Sequence, residues 1–218
     1  EASRFPVSLT VSAIRDENNA ISGFMGVAYD ITERKRREDY TQHIAHHDEL
    51  TGLPNRALFN DRLSGALQPA ERSGKNVALM MIDLDHFKRV NDSLGHHVGD
   101  ELLKTAAQRI SACVRATDTV ARMGGDEFVV VLEDIADANF PERIASCIVE
   151  SIAAPIIVRP HELNVSASIG ISLYPDHAQI PTELLKHSDT AMYQAKAAGR
   201  RTFMRYTDAV DVEIRQRA

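Results

Sequence analysis

Two groups of acidic residues in this 218-residue chain have the type and spacing to hold a metal ion. Asp83-Leu84-Asp85 ends the apolar run Val77–Ile82, and Asp126-Glu127 directly follows Gly124-Gly125. Acids at the end of a buried strand lie at the sheet edge where α/β proteins commonly bind ligands. Magnesium prefers one or two carboxylate oxygens together with substrate phosphates. The two groups therefore predict a candidate magnesium site.

Each acidic group also has a structural alternative. Asp85 is expected to cap the short helix His86–Asp92 that follows it, whereas Asp83 is harder to explain structurally. A Gly-Gly turn tolerates positive φ and joins neighbouring strands, so Asp126 and Glu127 are also what a solvated hairpin tip would carry. These residues alone leave both alternatives open.

The segments that must position these acids alternate between helical and extended patterns. Helical spacing of apolar residues predicts helices over 56–72, 100–116, 140–153 and 182–198. Apolar and β-branched runs predict strands over 77–84, 119–123, 127–132, 156–159, 165–173 and 202–206. This alternation predicts an α/β (α+β) fold with a buried central sheet.

The first part of the chain has a different pattern. Stretches 5–14 and 20–31 are rich in β-branched and apolar residues and flank a polar cluster at 15–19, which predicts a β-hairpin. A single hairpin is marginal on its own, so a larger sheet or a partner is expected to complete it. The charged segment 33–47 has Tyr40 and Ile44 at helical spacing and predicts a connecting helix.

Composition argues against several classes of function. A net charge of −6 gives no broad field that attracts nucleic acid, so polymeric nucleic acid is not an expected partner. No apolar run approaches the ~18 residues that span a bilayer, and the chain starts without a signal-peptide pattern. We therefore expect a cytoplasmic piece of a longer protein, without membrane contact of its own, although the full-length protein could be membrane-tethered.

The two cysteines, Cys113 and Cys147, lie on apolar helical patterns without CxxC or Cys/His spacing. We expect buried thiols in a reducing cytosol and no disulfide framework.

Several sequence strings, taken together, resemble the GGDEF family of diguanylate cyclases over residues 46–206. The strings are DELTGLPNR at 48–56, DLDHFKRVND at 83–92, GH at 95–96, GD at 99–100, RMGGDEF at 122–128, SIGIS at 168–172, and a final set from Asp189 to Arg200. A lone GGDEF string would be weak evidence, but this ordered set is specific. The resemblance implies a palm-like domain with a mainly antiparallel central sheet surrounded by helices.

The resemblance also implies an activity. Such enzymes condense two GTP molecules into cyclic di-GMP and two pyrophosphates, with Mg²⁺ as cofactor and Mn²⁺ as a substitute. One domain holds one GTP, so a homodimer is required to bring each ribose 3′-oxygen to the opposite α-phosphate. Asp83, the Leu84 carbonyl and Asp126 are the implied metal ligands. Glu127 lies beside them as a further ligand, and the division of catalytic roles between Asp126 and Glu127 stays open.

The implied GTP-binding residues follow the same strings. Asn91 and Asp100 match the positions that read guanine, and an amide with a carboxylate suits the donors and acceptors of that base. Their structural alternatives are a turn at a helix end for Asn91 and an N-cap for Asp100. The remaining expected GTP contacts are Phe87, Lys88, Lys196 and Arg200. Basic side chains beside magnesium suit a triphosphate, with solvated helix faces as their alternative.

Arg115 and Asp118 match the RxxD inhibitory site at which cyclic di-GMP binds in many members of the family. An arginine clamps phosphate or guanine, and a carboxylate accepts guanine hydrogens, so product inhibition is expected. The structural alternative is an arginine near a helix C-terminus and an aspartate in a turn.

These observations predict four segments: 1–32 as the C-terminal part of a PAS-like sensor domain, 33–47 as a signalling linker helix, 48–206 as the GGDEF domain, and 207–218 as a C-terminal helix or linker. The PAS assignment comes from a resemblance of the hairpin and of DITERK at 30–35. Two alternative functions remain. One is a catalytically silent GTP-binding domain of a tandem GGDEF-EAL phosphodiesterase, and the other is a cyclic di-GMP receptor.

Overall fold

The computed structural model of the chain describes residues 5–207, apart from the side chains at positions 38, 39 and 42. The chain divides into two compact units, Glu1–Ala45 and His46–Ala218. In the first unit, strands β1 (Val7–Arg15) and β2 (Ile21–Asp30) form the expected antiparallel hairpin. The Asp16 carboxylate closes its turn by accepting hydrogen bonds from the backbone N–H groups of Asn18 and Ala20.

A helix, α1 (Thr32–His46), follows the hairpin, as its charged pattern predicted. The assignment of the hairpin to a PAS-like domain stays a prediction. No helix within the described range 5–207 is long and apolar enough to cross a membrane. The helix or linker expected over 207–218 lies outside the described residues, except for Thr207.

The second unit is built on a five-stranded sheet with strand order β4-β5-β3-β8-β9. Only the β8–β9 pair is parallel, so the expected mainly antiparallel sheet is confirmed. The elements of this unit are α2 (Arg56–Ser73), β3 (Asn76–Asp85), α3 (Phe87–Leu94), α4 (His96–Ala112), β4 (Thr119–Gly124), β5 (Glu127–Ile135), α5 (Phe140–Ala153), β6 (Ile156–Val158), β7 (His161–Leu163), β8 (Ser166–Tyr174), α6 (Pro181–Ala197) and β9 (Thr202–Arg205).

Helices cover both faces of the sheet, and β3 is buried at its centre. Successive side chains of β3 point to opposite faces. Ala78, Met80, Ile82 and Leu84 pack with α4 and α5 in one core cluster, whereas Val77, Leu79 and Met81 pack with α2 and α6 in the other. Burial on both sides explains the unbroken apolar run of this strand. By the same alternation, Asp83 and Asp85 at its end lie on the α6 side.

The structure corrects one expectation about helix ends and does not match two of the structural alternatives. His86, in the left-handed conformation with φ +63°, is the N-cap of α3, so the capping role expected for Asp85 is wrong. Helix α4 begins at His96, which places Asp100 inside the helix rather than at its N-cap. Asn91 lies within α3, four residues after its first residue, and is not a turn residue at a helix end.

The strand expected over 156–159 is confirmed as β6, which pairs with β7 in a separate two-stranded sheet. Strand β7 itself was not expected. The expectation of two buried thiols is wrong for Cys147, which is exposed, while Cys113 is partly buried.

Candidate active site

The carboxyl end of β3 and the β4–β5 turn bring the two acidic groups together. Asp83 is the register partner of Glu127 across the β3–β5 ladder. The Leu84 N–H donates to the Asp126 carbonyl oxygen at 3.3 Å. The antiparallel pairing therefore places Asp83, Asp126 and Glu127 at one edge of the sheet, although 43 residues separate Asp83 from Asp126 in the chain.

The turn that presents Asp126 and Glu127 depends on its two glycines. Gly124 has φ +138° and Gly125 has φ +54°. Side chains disfavour this left-handed region, which glycine enters at little cost. The Gly-Gly pair therefore lets β4 turn tightly into β5 with the acids immediately after the bend.

An ion pair from a distant loop supports this turn. Arg122 donates from Nε and Nη2 to the Gly125 carbonyl oxygen at 3.1 and 2.7 Å. Its Nη1 donates to both carboxylate oxygens of Asp48 at 3.0 Å each. The Arg122 side chain is 11% exposed and that of Asp48 is 22% exposed, so solvent screens this pair only partly. Neither residue was predicted to have a role at the site.

The Asp48 carboxylate is itself held by its own loop. The backbone N–H and the hydroxyl of Thr51 donate to Asp48 Oδ1 at 2.9 and 2.6 Å. Burial by itself would raise the pKa of Asp48, but the hydrogen bonds from Thr51 and Arg122 and the charge of Arg122 outweigh it and hold the pKa below its usual value. Asp48 is therefore set up as a fixed anion behind the Gly124-Gly125 turn.

The acids at the sheet edge concentrate negative charge. Burial raises the pKa of Asp83, and the charges of Asp126 and Asp85 raise it further, against the opposing effect of Lys196. Burial also raises the pKa of Glu127, with added repulsion from Asp83, Asp189 and Asp126. The Lys196 ammonium group opposes both shifts, and its Nζ lies 2.7 Å from Asp83 Oδ2. Such a cluster favours a bound cation.

The donor set fits magnesium better than a metal that needs an all-protein cage. Within the described residues, no three His, Cys, Asp or Glu side chains are grouped so as to hold a metal by themselves. Magnesium is usually held by one or two carboxylates together with waters and substrate phosphates. The carboxylates of Asp83 and Asp126 and the Leu84 carbonyl are hard oxygen donors of that kind.

Asp85 fastens the strand end to two other segments instead of capping a helix. It is 2% exposed and accepts hydrogen bonds from the hydroxyls of Ser166 and Ser168 at 2.6 and 2.7 Å, and from the Arg201 N–H at 3.2 Å. Arg200 Nε lies 3.9 Å from Asp85 Oδ1. Asp85 thereby fixes the loop that carries Arg200. The positions of Ser166 and Ser168 in the sequence did not predict this role.

The two predicted guanine-reading residues lie on consecutive helices. Asn91 is on α3, and Asp100 is on α4 with an exposed side chain. In the part of the chain that the structure describes, Asn91 Oδ1 is buried without a hydrogen-bond partner. A Cβ added to Gly99 would lie 1.9 Å from that oxygen. An unpaired buried acceptor costs about 1–3 kcal/mol, so the tight contact between Gly99 and Asn91 holds this oxygen at an energetic cost.

The other residues predicted to contact GTP are dispersed around the sheet edge. Phe87 is 8% exposed and belongs to the core, whereas Lys88 is exposed. Lys196 is partly buried at Asp83, and Arg200 is largely exposed. Lys196 also lines a cleft of about 340 Å³, together with Glu127, Asp189, Thr190, Met192 and Tyr193.

Arg115 and Asp118 lie at the opposite end of β4 from the Gly-Gly turn. Asp118 Oδ2 accepts the Arg115 backbone N–H at 2.8 Å, and Asp118 Oδ1 accepts the Glu133 N–H at 3.4 Å. The Arg115 guanidinium lies 4.5 Å from the centroid of the Phe140 ring. Asp118 therefore closes its own turn, as the structural alternative predicted, while the exposed Arg115 side chain is presented at the surface.

Comparison with known proteins gives one family. The sequence model described as "Diguanylate cyclase, GGDEF domain" matches residues 45–202. The chain is 46% identical over 175 residues to the bifunctional diguanylate cyclase/cyclic di-GMP phosphodiesterase MucR of Pseudomonas aeruginosa. The aligned region covers 79% of this chain and 25% of MucR. The chain spans between 23% and 37% of the length of the first curated relatives that it matches.

Solved structures agree with this match. A solved structure of the GGDEF domain of TpbB from Pseudomonas aeruginosa is 43% identical and superposes with a TM-score of 0.76, over 78% of this chain and 99% of that one. The coiled coil and GGDEF domain of DgcB from Caulobacter crescentus, solved in complex with c-di-GMP, is 27% identical with a TM-score of 0.71, over 79% and 92% of the two chains.

Proposed function

Because the chain belongs to the GGDEF family of diguanylate cyclases, we propose that it condenses two GTP molecules into cyclic di-GMP and two pyrophosphates. The observation that carries this proposal is the meeting of Asp83, Asp126 and Glu127 at one sheet edge, with Lys196 beside Asp83. This arrangement combines anionic metal donors with a cation for phosphate, as phosphoryl transfer requires.

Asp83, Asp126 and the Leu84 carbonyl would hold Mg²⁺, or Mn²⁺ in its place, with Glu127 as a further ligand. When bound, the metal neutralises charge on the phosphates and lowers the pKa of the attacking ribose hydroxyl. Asp126 or Glu127 accepts the proton of that 3′-hydroxyl. Burial and neighbouring acids raise the pKa of Glu127, which brings its basicity closer to what a general base needs.

The guanine base is recognised by Asn91 and Asp100. The Asn91 amide N–H group donates to one edge of the base, and the exposed Asp100 carboxylate accepts hydrogens from N1 and N2 of guanine. Adenine lacks those donors, so ATP is not a substrate. Lys88, Lys196 and Arg200, with Phe87 beside them, form the triphosphate side of the site.

Catalysis requires a homodimer, because each domain binds one GTP and two such sites must face each other. The helix α1 and the preceding PAS-like hairpin set how the two domains meet. Deletion of residues 1–45 is then expected to change the specific activity, and unchanged activity would contradict this regulatory role.

Product inhibition acts through Arg115, whose exposed guanidinium is available to phosphate or guanine. Asp118 orders the loop by accepting a hydrogen bond from the Arg115 N–H. Its carboxylate also contacts the bound product. The DgcB structure in complex with c-di-GMP supports binding of this nucleotide by the family.

A catalytically silent role in a tandem protein is the second candidate. The relative MucR is named for both cyclase and phosphodiesterase activities, and the chain spans 25% of its length. In that case GTP would bind at the same residues without turnover.

One experiment separates these functions. The purified chain is incubated at high concentration with GTP and Mg²⁺, and cyclic di-GMP is measured by chromatography. The proposal predicts product that disappears with a metal chelator and in Asp126→Asn. GTP binding without product in the wild-type chain would support the silent regulator, and cyclic di-GMP binding without GTP binding would support the receptor.

A further inference from the structure

The two thiols of the chain touch across a pair of helices. Cys113 follows the last residue of α4, and Cys147 lies in the middle of α5. Their Sγ atoms are 2.8 Å apart, although the residues are 34 positions apart in sequence. This contact lies outside the acidic site and takes no part in the chemistry proposed above.

We propose that Cys113 and Cys147 form a redox-modification site at which a peroxide converts the two thiols into a reversible intramolecular disulfide between α4 and α5. The sulfurs need little movement to bond, because they lie 2.8 Å apart and a disulfide bond is about 2.05 Å long. Cys147 is exposed to a small oxidant, and Cys113 is partly buried directly behind it.

The exposure of the two residues sets the order of the reaction. The Cys147 sulfur attacks one peroxide oxygen, the O–O bond breaks, and a sulfenic acid and one water are formed. The Cys113 sulfur then attacks the sulfenic sulfur, its proton leaves with the displaced hydroxyl as a second water, and the S–S bond forms. Two thiols lose two electrons and two protons in total, and one hydrogen peroxide is reduced to two waters.

The surroundings of Cys113 support its role as the resolving partner. Burial and the adjacent Cys147 raise the pKa of the Cys113 thiol to about 12. The Cys113 thiol therefore stays protonated at neutral pH, and a protonated thiol does not readily attack the oxidant. It reacts once Cys147 has become an electrophile within contact distance.

The bond would fasten a loop that already touches α5. Arg115, two residues after Cys113, lies over the ring of Phe140 near the start of α5. A disulfide would add a second, covalent attachment between the same two segments. Oxidation is therefore expected to restrain residues 113–118 and to raise the thermal midpoint by several degrees.

The test uses the whole chain, reduced and then treated with hydrogen peroxide. Because the chain has two cysteines in all, any intramolecular disulfide must join Cys113 and Cys147. We expect a monomer on a non-reducing gel whose intact mass has lost two hydrogens, with both thiols protected from maleimide after denaturation. Dithiothreitol should restore both thiols.

A displaced thiol provides the matched control. The double variant Ser146→Cys/Cys147→Ser keeps two thiols. It moves one of them by one residue along α5, which is about 100° around the helix axis. We expect its intramolecular oxidation to be about tenfold slower than in the parent chain, because the reacting atoms no longer meet. Far-UV circular dichroism verifies that this variant is folded.

Three outcomes would overturn the proposal. The first is sulfinic or sulfonic acid at Cys147 with Cys113 still a thiol. The second is disulfide found only between chains, as covalent dimers. The third is a displaced-thiol variant that closes its disulfide as fast as the parent.

Discussion

Arg122 and Asp48 are 74 residues apart in sequence, yet one guanidinium nitrogen of Arg122 donates to both carboxylate oxygens of Asp48 at 3.0 Å. The Nε and Nη2 atoms of the same guanidinium donate to the Gly125 carbonyl oxygen. The loop at the start of the second unit thus supports the turn that presents Asp126 and Glu127.

Substitution of Arg122 by lysine tests this support. A lysine keeps the charge but has no planar fork, so it cannot hold Asp48 and the Gly125 carbonyl together. We expect Arg122→Lys to lower kcat about 10- to 100-fold, as loss of residues that orient metal ligands commonly does. Steady-state pyrophosphate release measures kcat and KM. A wild-type kcat in a folded variant would show that the clamp is dispensable for catalysis.

The same ion pair makes a pH-dependent contribution to stability. Because the pKa of Asp48 is lowered on folding, its stabilisation is full above the unfolded pKa of about 3.9 and is lost as the pH falls through the folded value. The free energy of unfolding of Asp48→Asn should therefore be about 1–2 kcal/mol lower than that of wild type at pH 7. The free energies of unfolding of the two proteins, measured by urea titration, should converge as the pH falls below the unfolded pKa of about 3.9. A difference that stays constant with pH would contradict this origin.

Gly99 controls the position of Asn91, for which we propose a role in reading guanine. An added methyl group would overlap Asn91 Oδ1 and lie 3.3 Å from the Phe87 ring. We expect Gly99→Ala to displace Asn91 and to weaken GTP binding about tenfold, the loss of about one good hydrogen bond. Calorimetric titration with GTP and Mg²⁺ measures the affinity.

Gly65→Ala is the matched control for this prediction. Gly65 lies within α2, and a Cβ added there meets nothing within 4 Å. GTP affinity should stay at the wild-type value, with stability unchanged or slightly raised. Equal effects of the two substitutions on GTP affinity would exclude a specific role for Gly99.

Asp85 is expected to serve both stability and triphosphate binding. Asp85→Ala leaves the hydroxyls of Ser166 and Ser168 and the Arg201 N–H without their acceptor, at a cost of about 2–4 kcal/mol. Asp85→Asn keeps one acceptor oxygen and should cost less. Urea unfolding ranks the two variants, and GTP titration reports whether Arg200 is displaced. If the alanine and asparagine variants were equally stable, the hydrogen bonds would not be the cause.

Much of the fold could be predicted from local pattern. The apolar run at 77–84 predicted a buried strand, and β3 is buried on both faces. Gly124-Gly125 between two apolar runs predicted a tight turn, and both glycines have positive φ. These features depend on residues that are neighbours in sequence, so the sequence carries them directly. The ordered motifs likewise predicted the family.

The expectations that failed were those that depended on tertiary contacts. Asp85 was expected to cap a helix because a cap is a local role, but strand register places it between Ser166, Ser168 and the Arg201 N–H. Cys147 was expected to be buried because its neighbours are apolar, yet α5 turns it outward against Cys113.

The sequence by itself determined the helices and strands, the acidic groups and the membership of the family, because hydrophobic period, turn residues and motif order are properties of adjacent positions. Only the tertiary structure decided that Arg122 holds Asp48, that Lys196 meets Asp83, and that the two thiols touch. The physical reason is that such contacts follow from the pairing of β3 with β5 and β8 and from the packing of α4, α5 and α6, which bring side chains together across loops of many residues.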